Sequence, residues 1–335
     1  MQTITQDALK LFWRTNKAMT LFFFSNFIFL GIGIAGMLLD SRQVLGVSTW
    51  VKDVKFAISL LLYSATMLWM FSYITLRPRL KSFVLTASAI VLFAEMVMIA
   101  LQGARGVPMH FNVSTPFDSA LWSAMAISIT IFYLVSIIGF VLFLRSPLTD
   151  RTMAWSMKLG MLIMLVGFGL GFMMTGPQPD QLAQMEQGIA PAMVGAHTVG
   201  APDGGAGLPL VGWSTMYGDL RVAHFIGIHG PQALALFGFG LLMFARRTNN
   251  RLSETHRLLM VLGAFLAYLG IVALVTWQAL RVEPVTAPSM ATLLTLGIIV
   301  AAFVGYNAVI LGHASRSPRG QSENLPYNGN QHASV

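Results

Sequence analysis

The chain has 335 residues, 55% of them hydrophobic and 10% charged, with 21 Lys and Arg against 13 Asp and Glu and a formal net charge of +8. A soluble domain carries about a quarter charged residues, so this composition excludes an ordinary soluble protein and indicates an integral membrane protein. The basic residues sit in small groups between long apolar runs, which excludes nucleic acid as a partner and leaves the lipid bilayer, while the absence of cysteine excludes disulfides, thiolate ligands and Cys nucleophiles.

Residues 1–18, with Lys10, Arg14 and Lys17, read as a cytoplasmic N-terminal segment ahead of the first apolar run. That run lacks a small-x-small cleavage site, so it reads as an uncleaved span and not as a signal peptide. A membrane-crossing helix needs roughly 20 predominantly apolar residues. Eight stretches qualify: 19–39, 54–76, 83–103, 119–144, 159–175, 222–245, 258–280 and 290–312. With the N-terminus inside, the inner segments hold Lys10, Arg14, Lys17, Arg77, Arg79, Lys81, Arg145, Arg151, Lys158, Arg246, Arg247, Arg251, Arg257, Arg316 and Arg319, which is 15 of the 21 basic residues. Arg42, Lys52, Lys55, Arg105, Arg221 and Arg281 fall at the outer ends. This is the positive-inside pattern. The expected fold class is all-α: a polytopic integral membrane helical bundle of about eight transmembrane helices, both termini cytoplasmic, in a membrane of the bacterial inner type. Residues 19–312 form the bundle and 313–335 a polar, disordered cytoplasmic tail.

Polar residues inside these runs are expensive in lipid and point to function. In the first span, the glycines of GIGIAG, Gly31 to Gly36, have dinucleotide-loop spacing but lie within a helix, where they let another helix approach. In the second, Lys52, Lys55, Ser59, Tyr63 and Thr66 recur at helical spacing as a polar stripe, with Lys52 snorkelling to the interface and Lys55 available to pair with Glu95 or Asp53. Glu95 lies in the third span, about 8 residues or ~12 Å below the outer surface at the helical rise, and Gln102 shares its face. The following turn, QGARGVPMHFN, presents Arg105 and His110, and its Asn112-Val113-Ser114 is a chance glycosylation match. Gly167 and Gly171 in the fifth span form a small-xxx-small packing pair.

The connection at 176–221 is rich in Gly and Pro yet carries Val199, Leu208, Leu210 and Trp213 as well as His197, so it reads as a folded cap over the outer face. The sixth span begins GDLRVAHFIGIHG, with Asp219 and Arg221 in the interface and His224 in the first turn. His229 is ~7.5 Å deeper and about 140° around the helix from His224, which rules out an i,i+4 chelating pair, and Gln232 shares the face of His229. Glu95, Gln102, Gln232, Gln278 and four of the seven histidines map to the outer half, whereas the inner half offers little beyond Asn26 and Asn307. A polar site opening to the outer face follows.

These residue types suit a membrane-embedded enzyme using a transition metal (zinc, iron or copper) or haem, acting on a lipid-soluble or amphipathic substrate. The metal ligands would be His110, His224 and His229, with His197 as a fourth. Glu95 and His229 would be catalytic, and Lys55, Arg105, Gln102 and Arg221 would bind the substrate. A proton-coupled transporter is the alternative, although the sequence signals no inverted repeat and no span broken near the midplane. A non-catalytic sensor or assembly factor is the third reading.

Overall fold

A computed structural model describes residues 2–248 and 252–316. Arg251, Arg319 and the rest of the polar tail after Arg316 lie outside the described residues. The helices are α1 (Gln2–Thr15), α2 (Lys17–Leu39), α3 (Val51–Ser72), α4 (Pro78–Arg105), α5 (Pro116–Arg145), α6 (Arg151–Phe172), α7 (Pro179–Glu186), α8 (Leu220–Ile228), α9 (Gly230–Arg247), α10 (Glu254–Leu280) and α11 (Met290–Arg316). Two short antiparallel strand pairs, the hairpin of β1 (Gln43–Val44) with β2 (Val47–Ser48) and the pairing of β3 (Thr198–Val199) with β4 (Gly218–Asp219), are the only sheets among the described residues. Helices α2 to α6, α10 and α11 are each long and apolar enough to cross a membrane, and α8 with α9 pass the same test only together, as a bent pair, which gives seven spans, or eight if the pair is one crossing. The chain is an all-α polytopic helical bundle.

Helix ends follow local chemistry. Asn16 accepts from the Met19 amide at 2.8 Å and Asp150 from Met153 at 2.8 Å. Thr115 caps α5 by accepting from Asp118 at 3.1 Å, just before Pro116 in the first turn. The capping residues place the helix starts a few residues earlier than hydropathy alone, most visibly for α6, which is 22 residues long where the apolar run suggests 17. At the other end α11 continues to Arg316, past the expected start of the tail at 313.

The stretch expected as the sixth span departs from one continuous helix: it is broken at His229, with α8 and α9 bent by 45°. Pro231 lacks an amide hydrogen and its ring clashes with the preceding turn, so the helix stops and restarts. The bend lets backbone pack on backbone. A Cβ on Gly167 would stand 2.5 Å from the Gly227 carbonyl carbon, and one on Gly160 would stand 2.7 Å from Pro231 Cα. Helices α2 to α5 pack together, α6 carries α8, α9 and α10 on its other side, and α11 rests on α10. The largest core cluster, with Met67, Met70, Phe71, Phe143, Met157, Met161 and Met164, lies where α3, α5 and α6 meet. Leu and Ile side chains stay exposed along the outside of the bundle, as lipid-facing residues do.

Candidate functional site

One end of the bundle is covered by the connection between α6 and α8, here termed the cap end. Hydrogen bonds hold this connection together at several points. Gln181 of α7 accepts from the Gly195 amide at 2.9 Å and donates to the Gly195 carbonyl at 3.1 Å. Val113 and Val194 amides bond across to Ala192 and Phe111, which stitches the cap to the α4–α5 turn. A second hairpin, bridged at Gly207 and Ser214, folds back beside it. Beneath this cap is a cavity of about 550 Å³ lined by the β1–β2 hairpin, the start of α3, the α4–α5 turn and the cap itself, with His224 from α8.

Two lysines from α3 reach into the cavity. Lys52 Nζ lies 2.8 Å from His110 Nδ1, and Lys55 Nζ donates to the Val211 carbonyl at 3.0 Å. No described carboxylate forms an ion pair with either. Arg221 also lines the cavity, held by Asp219 at 2.5 Å and by the Gly212 carbonyl. Across from them His197 Nδ1 contacts Asp203 Oδ2 at 2.5 Å, and Asp203 also accepts from the His197 and Thr198 amides. Burial pushes His197 down from 6.5 to about 4. The Asp203 bond works against that fall, and Lys52 and Arg221 add to it. Burial alone would raise Asp203, yet the hydrogen bonds from His197 and the amides hold it well below the usual carboxylate range. His197 is therefore a neutral imidazole whose proton sits on Nδ1, facing an ionised Asp203, so Nε2 is its proton-accepting nitrogen. His110 is also held well below 6.5, by burial first and then by Lys52.

The expected site residues divide. His110, His197, His224, Lys55 and Arg221 line the cavity. Glu95 is 2% exposed and stands behind it, its Oε1 3.9 Å from His110 Nε2 and its Oε2 without a partner. Lys52, expected at the interface, is turned inward. Lys55, expected to pair with Glu95 or Asp53, instead meets the cap backbone. Arg105 and Gln102 do not join the site: Arg105 pairs with Asp118 at 2.5 Å and stacks over Phe117, while Gln102 bonds Asp118 at 3.1 Å. Their polar groups are spent in joining the end of α4 to the start of α5. Gln278 is likewise structural, donating to the Pro284 carbonyl. Asn112 is buried and accepts from Ser114, so the sequon is an internal turn.

The expected metal-ligand set is not assembled. His229 lies at the helix break against Phe225, 4.5 Å between rings, and does not line the cavity. His224 Nδ1 is bonded to the Gly167 carbonyl at 2.8 Å, and one nitrogen each of His110 and His197 is occupied by Lys52 and Asp203. Among the described residues no group of three or more His, Asp or Glu could hold a metal ion. The four histidines belong to separate turns of three segments, and their ring nitrogens are oriented by separate partners.

Sequence reasoning missed Asp203 and Asp118. Asp203 sits six residues after His197 in a non-periodic loop and gives no spacing signal. Asp118 is legible in retrospect as the third position of a helix beginning Thr115-Pro116, where an acidic residue is favourable. Comparison with protein-family models, with curated proteins and with solved structures finds no match for this chain.

Proposed function

We propose that the chain is a membrane-embedded enzyme acting on an anionic substrate in the capped cavity, with His197 as general base and Asp203 as its positioning partner. Lys52, Lys55 and Arg221 hold the negative charge of the substrate. With the basic connections at the opposite end, the cavity opens to the external side of a bacterial-type inner membrane. The observation that carries this reading is the placing of two lysines without carboxylate partners beside a His–Asp pair in one cavity. A neutral imidazole oriented by a carboxylate takes a proton from water or a substrate hydroxyl, and unneutralised ammonium groups in a partly dry cavity attract an oxyanion strongly. The four-histidine geometry gives no support to a metal or haem role.

The test is hydrolysis of 4-nitrophenyl phosphate and 4-nitrophenyl succinate by the purified full chain, read as nitrophenolate release. His197→Gln should remove turnover, and Asp203→Asn should lower kcat by about two to four orders of magnitude with a smaller effect on KM. Lys55→Gln should chiefly raise KM. Turnover untouched by His197→Gln would overturn the assignment. The proton-coupled carrier remains a second reading because of one observation, the break between α8 and α9 at His229. Just beyond the break, Gln232 of α9 donates to Thr66 of α3 at 3.0 Å, and broken helices mark transport sites. Protein reconstituted in vesicles separates the two readings: a carrier moves radiolabelled phosphate or succinate across the bilayer without chemical change.

A further inference from the structure

The β1–β2 hairpin forms one lip of the cavity, and its turn is Leu45-Gly46 with φ of 52° and 78°. A two-residue turn with both residues in the left-handed region ordinarily begins with Asn, Asp or Gly, because a bulky side chain is strained there. Leu45 is nevertheless 40% exposed, and Val47 beside it 43%. Leu45 lies against Gly204, at the start of the run Gly204–Gly207 that also lines the cavity, and Tyr217, 40% exposed, is a further cap residue of the lining. The charged interior gives no reason for a strained leucine and an exposed valine at the opening. A site built for a small hydrophilic anion would have a polar rim.

We infer that the ligand is an amphipathic oxyanion: its charged head rests among Lys52, Lys55 and Arg221, and its hydrocarbon part leaves between Leu45 and Val47 on one lip and Tyr217 on the other. This deepens the anion-site reading and rests on it. The backbone strain at Leu45 persists because the apolar side chain is used for binding at a position where a polar residue would relieve it. Phosphate and carboxylate heads share the chemistry that the lysines recognise, and both belong in the test.

The experiment titrates the full chain in nanodiscs of zwitterionic lipid with inorganic phosphate, butyl phosphate and octyl phosphate, and in parallel with acetate, butyrate and octanoate. Octyl phosphate or octanoate should bind at least about tenfold more tightly than its short counterpart, since each buried methylene adds to affinity. In Leu45→Asn, which suits the turn and keeps the hairpin folded, that ratio should collapse toward unity. Partition of octyl chains into the disc is the same for both proteins and cancels in the comparison. If octyl and short anions bind equally, or if the ratio survives in both Leu45→Asn and a Leu45→Asn, Val47→Asn double variant, the amphipathic inference is overturned while the anion site stands. If no probe binds, or if Lys55→Gln changes none of the affinities, the anion-site reading itself fails.

Discussion

At the scale of single residues, the His197–Asp203 pair makes stability depend on pH in a defined direction. His197 is held near 4 in the folded chain against 6.5 when unfolded, so between those values the unfolded chain binds the extra proton. Stability is therefore full above about pH 6.5 and falls as the pH drops toward 4, by an amount on the order of 2–3 kcal/mol. His110 acts in the same sense. Asp203, with its lowered value, adds a further loss below the ordinary carboxylate value of 3.8. Thermal unfolding of the purified protein between pH 7.5 and 4 should show the decline, with a shallower slope for His197→Gln; a flat profile in wild type would contradict the neutral, buried imidazole. Asp53 is a different case. It is 1% exposed and neither carboxylate oxygen has a partner, and a buried unpaired polar group costs about 1–3 kcal/mol. Asp53→Asn deletes the charge at constant shape and should raise the melting temperature. A lowered melting temperature together with lost nitrophenolate release would mean that the carboxylate serves the site next door.

At the scale of elements, the apolar runs were legible because lipid demands continuous apolar helices, and single residues hardly perturb a window of that length. The break at His229 was not read, since the run from Val222 to Ala245 stays apolar across Gly230-Pro231 and hydropathy is blind to a missing amide hydrogen. Nor were the lysines placed correctly: a stripe at Lys52, Lys55 and Thr66 fixes a helix face, but what meets that face comes from distant segments, His110 at Lys52, the Val211 carbonyl at Lys55 and Gln232 at Thr66. The same dependence governs Gly167 and Gly171, whose spacing announces close packing without naming the partner. That partner is now specific. A methyl group at Gly167 would meet the backbone of Gly227 and Ile228, which cannot move aside as a flexible side chain would. Gly167→Ala should destabilise by about 1–3 kcal/mol or more and widen the seat of His224. Gly297 in α11 has nothing within 4 Å of an added Cβ, so Gly297→Ala should be neutral or slightly stabilising. Equal melting temperatures for the two variants would mean that α6 and α8 are not in backbone contact.

At the scale of the whole molecule, the two ends of the bundle treat their basic residues differently. At the cap end Arg42 pairs with Asp40, Arg105 with Asp118 and Arg221 with Asp219, Arg281 stacks on Trp277, and the two lysines point into the cavity. At the opposite end Arg77 and Arg79 are exposed at the α3–α4 connection, the exposed Arg246 and Arg247 close α9, and Arg151 pairs with Glu254 on the surface. Basic residues open to water near span ends orient a protein toward the cytoplasm, whereas those consumed by carboxylates or a ligand site carry little such bias. The cap should therefore face outward and the basic connections inward. The chain contains no cysteine, so single substitutions report without background. Leu210→Cys, on an exposed cap hairpin, should react with a membrane-impermeant maleimide in intact cells. Thr75→Cys, at the α3–α4 connection, should react only in inverted vesicles or after permeabilisation. The opposite result at both positions would place the anion cavity on the cytoplasmic side, and its ligand would then be drawn from the cell interior.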